Sequence, residues 1–190
     1  METLMRPYII RTPRLGLRRW LESDREPFAR LNADSAVMQY FPHVLSRPES
    51  DALVDRIEQH HLGHGFGLWA VDWLETGEFV GFVGLAMPRF TTFFTPCVEI
   101  GWRLDRAWWG RGIATEGARA CLSYGFNTLN LREILSFTAI HNQRSRHVME
   151  KIGMTYRATF QHPNLPPDHP LAEHVLYGIS ADQFIERTMP

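Results

Sequence analysis

The sequence predicts a single domain of the α+β (α/β) class, and three observations carry that prediction. Segments with strand periodicity alternate along the chain with segments of helix periodicity. One such pair, residues 97–122 (CVEIGWRLDRAWWGRGIATEGARACL), runs from strand through a glycine-containing turn into helix without a break. The 190 residues, 44% hydrophobic and 22% charged, suit one ordinary domain, long enough to bury about 70% of its unfolded surface.

Residues 9–20 read as a first strand, with Leu15 and Leu17 on one face. Ser23 followed by Glu26 forms a capping box, so a helix is expected to run to about Asn32. Asp34 to Phe41 reads as a short second helix closed by Pro42. Residues 48–62 read as a third, with Leu53, Val54, Ile57 and either His61 or Leu62 inward. His60, His61 and His64 invite a metal reading, since His60 and His64 stand one turn apart, but the helix is expected to fray at Gly63 and no cysteine or carboxylate joins them. They read as solvated helix-end histidines, and no metal is expected.

Phe66–Trp73 and Glu78–Leu85 read as a hairpin turned at Gly77. In the next strand Val98, Ile100, Trp102 and Leu104 alternate with Glu99, Gly101 and Arg103. Beyond the turn, Ile113, Ala114, Gly117, Ala118, Cys121, Leu122 and Gly125 share one helix face. Glu133 to Ile140 reads as a strand. Ser145, Val148, Met149 and Ile152 make a helical stripe closed by Gly153. A strand over Thr155–Phe160, a Pro-rich loop over Gln161–Pro170, a strand over His174–Ile179 and a short helix complete the chain.

The turn Trp109-Gly110-Arg111-Gly112-Ile113-Ala114 points unpaired backbone N–H groups of a helix N-terminus at one spot. Those donors and the helix dipole favour an anion, typically a phosphate, and Arg111 adds a charge. The dinucleotide fingerprint fails, because its third glycine position is Thr115, and no nucleotide P-loop is present. The turn instead resembles motif A of the GNAT superfamily of acetyl-CoA-dependent N-acetyltransferases, [RQ]-x-x-G-x-[GA]. Gly112 and Ala114 match its fixed positions; Trp109 stands where Arg or Gln is usual. The longer string EIGWRLDRAWWGRGIATE is similar to the ribosomal-protein N-terminal acetyltransferase branch, as is the opening Thr12-Pro13-Arg14-Leu15 run. A second GNAT pattern, N-x-x-S/A-…-E-K-x-G-[FM], is matched from Asn142 to Met154, so the resemblance spans nearly the whole chain.

The resemblance implies a GNAT fold, a mixed, twisted sheet of six to seven strands flanked by about four helices. It implies acetyl transfer from acetyl-CoA to a primary amine, on a protein N-terminus or a small molecule, by direct attack in a ternary complex. The amides from Gly110 through Arg111, Gly112 and Ile113 to Ala114, beside Trp109, would hold the CoA pyrophosphate. The backbone of Trp102, Arg103 and Leu104 would pair with the pantetheine arm like an added strand. Asn142 would bond the pantetheine, cap its helix, or both. The oxyanion would rest on a strand N–H near Ile100 to Trp102, with Gly101 at a bulge that frees it.

Glu99 is the candidate base, a carboxylate among buried neighbours whose pKa should rise; the alternative is a rim glutamate paired with an arginine. The tyrosine that many members use as acid is Met149 here. Ser145 is the substitute, or else a helix residue bonding to its own first turn. Glu116, in the first helical turn, complements the dipole. Phe90, Phe93 and Phe94 either line an acceptor pocket or cover the hairpin or a dimer surface. Trp109 and Met149 also leave open a non-catalytic CoA-binding module.

Net charge of −1 gives no electrostatic case for nucleic acid or anionic membrane as partner. Cys97 and Cys121 read as small buried hydrophobes. The N-terminal METLMRPYII has too short an apolar run for a signal peptide, so a cytoplasmic monomer or homodimer is expected.

Overall fold

A computed structural model describes residues 7–188; residues 1–6, on which part of the leader reading falls, lie outside the described residues. Among these residues eight strands form one sheet: β1 (Ile10–Arg11), β2 (Leu15–Arg18), β3 (Leu68–Trp73), β4 (Glu78–Ala86), β5 (Glu99–Leu104), β6 (Glu133–Ala139), β7 (Thr155–Gln161) and β8 (Glu173–Ser180). Their spatial order is β1-β2-β3-β4-β5-β6-β8-β7. Every pairing is antiparallel except β5 with β6, which is parallel. Among the described residues five helices accompany the sheet: α1 (Arg25–Ala33), α2 (Arg47–His64), α3 (Ile113–Asn127), α4 (Gln143–Lys151) and α5 (Ala181–Thr188). No described helix is long and apolar enough to cross a membrane.

Two helix layers cover the sheet. Ile113, Ala118, Cys121 and Leu122 of α3 bury against Leu15, Val71, Val83, Leu85, Ile100 and Leu104. On the opposite face Phe28 and Leu31 of α1 and Val54 and Ile57 of α2 pack on Trp20, Ala70 and Phe82. Both periodicities follow the apolar positions, since each burial of a Val, Leu, Ile or Phe side chain stabilises by about 1.5–3 kcal/mol. Beneath α1, the buried Arg18 guanidinium meets Asp24 at 2.6 Å and Asp72 at 2.7 Å, tying β2 and β3 to the approach to α1.

Several elements differ from the sequence expectation. The first strand is two, turned at Thr12-Pro13-Arg14, which raises the sheet to eight strands. Pro13 has no N–H to continue a ladder. The Thr12 hydroxyl accepts the Leu15 N–H at 2.9 Å. The Ser23–Glu26 box does not form. A 3₁₀ turn over Glu22–Asp24 precedes α1, and the Asp24 carboxylate accepts the Leu21 N–H at 2.8 Å.

Residues 34–41 are turns, not a helix. The Asp34 carboxylate takes the Ala36 N–H at 2.8 Å, so a side chain competes with the backbone ladder. Helix α2 does not fray at Gly63. It continues to His64 and ends on Gly65 in the left-handed region, φ 77°.

The α2 histidines are not all solvated either. His61 is buried with its ring nitrogen 3.1 Å from the Leu68 carbonyl, while Leu62 is exposed. His60 holds the Phe66 carbonyl at 2.9 Å and accepts the Met87 N–H at 3.0 Å. Cys121 is buried as expected, whereas Cys97 is half-buried.

Candidate active site

The site begins where β5 and β6 part. Their single parallel bridge pairs Glu99 with Leu135, with the Leu135 N–H donating to the Val98 carbonyl at 2.9 Å. Along β5 the backbone groups alternate. Asp105 donates to the Val80 carbonyl of β4 at 2.9 Å, so Arg103 and Gly101, in step with it, also face β4. Ile100, Trp102 and Leu104 face β6, as the Ser136 hydroxyl on the Ile100 carbonyl at 2.9 Å confirms. Beyond that point no further β5–β6 pairing follows, and the backbone of Trp102 borders an open wedge. The register with β4 runs unbroken through Gly101, so no bulge sits there. The wedge opens by divergence of the two parallel strands.

The wedge leads to the start of α3. A 3₁₀ turn over Arg106–Trp108, capped by the Asp105 carboxylate on the Ala107 N–H at 2.8 Å, carries the chain out of β5. Gly110 and Gly112 then adopt φ 75° and 76°, and Gly112 caps α3. A side chain at Gly110 would meet nothing within 4 Å. The glycines are therefore required by backbone conformation rather than by space.

Trp109 donates its ring N–H to the Leu104 carbonyl at 3.0 Å, fastening the turn to the strand end. The Arg144 guanidinium, from α4, stacks 4.5 Å from the Trp109 ring centroid. Arg111 lies 4.8 Å from the Trp108 ring centroid and is exposed. Glu116 takes hydrogen bonds from the Thr12 hydroxyl and the Arg14 side chain, both at 2.6 Å. Burial pushes its carboxyl up, and those bonds outweigh it and hold the pKa below the ordinary range. Arg14 also donates to the Arg111 carbonyl at 2.9 Å, so the β1–β2 turn braces the glycine turn from outside.

On the face towards α1 and α2, alternation aligns Glu99, Gly101 and Arg103. Burial pushes the Glu99 carboxyl up to about 8, and no arginine pairs with it among the described residues. Arg103 donates to the Asn32 carbonyl oxygen at 2.6 Å and lies 4.1 Å from the Phe41 ring centroid. On the same face a cleft of about 140 Å³ is lined by Arg56, Ile57, His60, Leu68, Ala86, Met87 and Arg89; Ala86 pairs with Glu99. Phe90 and Phe94 pack on Phe137, at 5.5 and 5.9 Å between centroids, and Phe94 on Phe160 at 4.9 Å. They cover β6 and β7 rather than the β3–β4 hairpin, and Phe93 is exposed.

At the start of α4, the Asn142 carbonyl accepts the Ser145 N–H at 3.3 Å. The Asn142 amide donates to the hydroxyls of Thr138 at 2.9 Å and Ser145 at 3.2 Å. The capping role of Asn142 is therefore realised, and Ser145 is bound into the first turn. Met149 is buried in the core.

The profile of the acetyltransferase (GNAT) domain family matches residues 14–155. The chain belongs to the GNAT acetyltransferase family. A relative in Bacillus subtilis, the uncharacterized protein YkkB, is 33% identical over 156 residues, 82% of this chain and 90% of the relative. An FsC-acetyl coenzyme A-N(2)-transacetylase of Aspergillus fumigatus is 37% identical over 131 residues, 66% of this chain and 55% of that one. In fold, the chain superposes on a RimL ribosomal L7/L12 α-N-protein acetyltransferase solved with coenzyme A. That match has a TM-score of 0.75 at 19% identity and covers 93% of this chain and 99% of that one.

In this acetyltransferase the glycine turn and the backbones of Trp102 and Leu104 border one wedge, whereas the Arg103 backbone, expected to join that pairing, faces β4. Glu99 and Ser145 are not in contact: Glu99 stands at the closed end of the wedge, and Ser145 lies where α4 begins, near its open end. The sequence reading missed Arg14, Arg144 and the Arg103 side chain. Arg14 lay inside the matched opening run; the other two are brought in by tertiary packing alone.

Proposed function

We propose that this acetyltransferase moves the acetyl group of acetyl-CoA to a primary amine by direct attack, with Glu99 as general base. The observation that carries the reading is the Glu99 carboxyl, held near 8 without an ion partner at the closed end of the wedge. A base works best with a pKa close to the working pH.

The amides of Gly110 to Ala114 take the CoA pyrophosphate. The free backbone of Trp102 pairs with the pantetheine in place of the missing β6 bonds, and Asn142 lies beside that path. Glu99 accepts a proton from the ammonium, directly or through a water, and the freed lone pair attacks the thioester carbonyl. The oxyanion rests on the Trp102 N–H, because Gly101 turns its own N–H to β4. Collapse breaks the C–S bond. Of the two protons left on the nitrogen, one passes to the thiolate by way of the Ser145 hydroxyl and the other stays on the amide product. Trp109 and Met149, the two departures from the family pattern, have roles as turn anchor and core residue that leave this chemistry in place.

The test is Glu99→Gln. Its kcat should fall about 100-fold or more, while calorimetric acetyl-CoA affinity stays at the parental value. In the parent, kcat should rise with pH through about 8, as the carboxyl ionises, and this limb should vanish in the variant. Parental turnover in the variant would overturn the assignment.

A further inference from the structure

Arg103 is a half-buried cation without a counter-charge among the described residues. Its Nε is enclosed with no hydrogen-bond partner, and no carboxylate pairs with it among the described residues. The bond from Nη1 to Asn32 and the Phe41 ring hold the guanidinium in place but supply no negative charge. Burial lowers its pKa to about 10, which still leaves it charged at neutral pH. An arrangement of this kind is costly unless something anionic completes it.

What lies next to it is open. A side chain built at Gly101 would meet only the Glu99 carboxylate, at 3.8 Å. The strand therefore presents a carboxyl, a gap and a guanidinium in line, with about 13 Å between the Glu99 and Arg103 Cα atoms at about 3.3 Å per residue. Arg56 and Arg89 line the cleft on the Glu99 side, and no acidic side chain does.

We propose that the amine acceptor also carries a carboxylate, which the Arg103 guanidinium holds while the amine lies towards Glu99 across Gly101. The inference rests on the acetyl-transfer reading above. It names the substrate class as amino acids or as peptide N-termini with a nearby acidic side chain, and it excludes polycations, which Arg103, Arg56 and Arg89 repel.

The test compares the full chain's kcat/KM, at saturating acetyl-CoA, for 4-aminobutanoate and 6-aminohexanoate against their amides. Ala-Glu-Ala against Ala-Gln-Ala separates a peptide source from a small-molecule one, and spermidine is the cationic control. The acids should exceed the amides by about 10- to 100-fold, carried by KM, with spermidine poorest. Arg103→Gln should erase that ratio and Arg103→Lys should restore part of it, with acetyl-CoA affinity and the melting profile as checks of folding. Gly101→Ala, which the unliganded fold accommodates, should raise KM for every acceptor.

Equal rates for acid and amide, or a preference for spermidine, overturn the proposal. Calorimetric binding of the N-acetylated acids and amides to the CoA complex makes the same comparison without turnover. Failure of every acceptor to react counts against the role of Glu99, whereas equal binding of acid and amide counts against that of Arg103.

Discussion

A carboxyl whose pKa is raised by burial weakens the folded state as it ionises. Unfolded, Glu99 loses its proton near the ordinary value of about 4.3; folded, it keeps it up to about 8. Between those values the folded state binds more protons, so stability falls as pH rises, and the full penalty is in place above about 8. Glu99→Gln removes it. The variant should match the parent in urea melts at pH 4.5 and exceed it at pH 9 by about 1–4 kcal/mol, reduced by the residue's remaining solvent contact. A stability difference that does not change with pH would contradict this. Arg18 makes the opposite case. Its guanidinium is 2% exposed and answers two buried carboxylates, so Arg18→Met should cost about 3–5 kcal/mol in the same melts.

Among the elements, the glycine turn concentrates the sequence's information. Two left-handed glycines and a helix start were legible because backbone conformation is a local property. Gly112→Ala should cost about 1–2 kcal/mol in stability and weaken acetyl-CoA binding, with calorimetry separating the two effects. Periodicity likewise located β3 to β8 and α2 to α4, since each buries one face. It misjudged the segments where one side chain redirects the backbone: Asp34 spoils a helix, and Thr12 with Pro13 folds one strand into two. At the site, the residues that brace or fill it from a distance were not legible. Arg144 reaches Trp109, and Arg103 reaches Asn32 and Phe41, only once separate elements are packed. No spacing rule encodes such contacts.

At the scale of the whole molecule, the sheet consists of two parts, β1 to β5 and β6-β8-β7, joined by one bridge at Glu99 and Leu135. Helix α3 spans the connection between them. The core on the α3 side crosses the junction, with Ile100 and Ile134 in one cluster, so packing holds the halves where hydrogen bonding does not. The protein therefore has an internal edge, the kind of exposed ladder that elsewhere invites another chain. Here the edge is short and recessed.

In the proposed reading, that edge makes the cosubstrate a temporary strand. The amide hydrogen of Trp102 should trade with deuterated solvent quickly in the free protein and slowly once CoA lies in the wedge, while those of Gly101 and Arg103, already spent on β4, should hardly change. Unchanged exchange at Trp102 would mean that the arm takes another path. Occupancy would also raise the melting temperature with ligand concentration, because the bound molecule supplies the ladder bonds that this sheet leaves unmade.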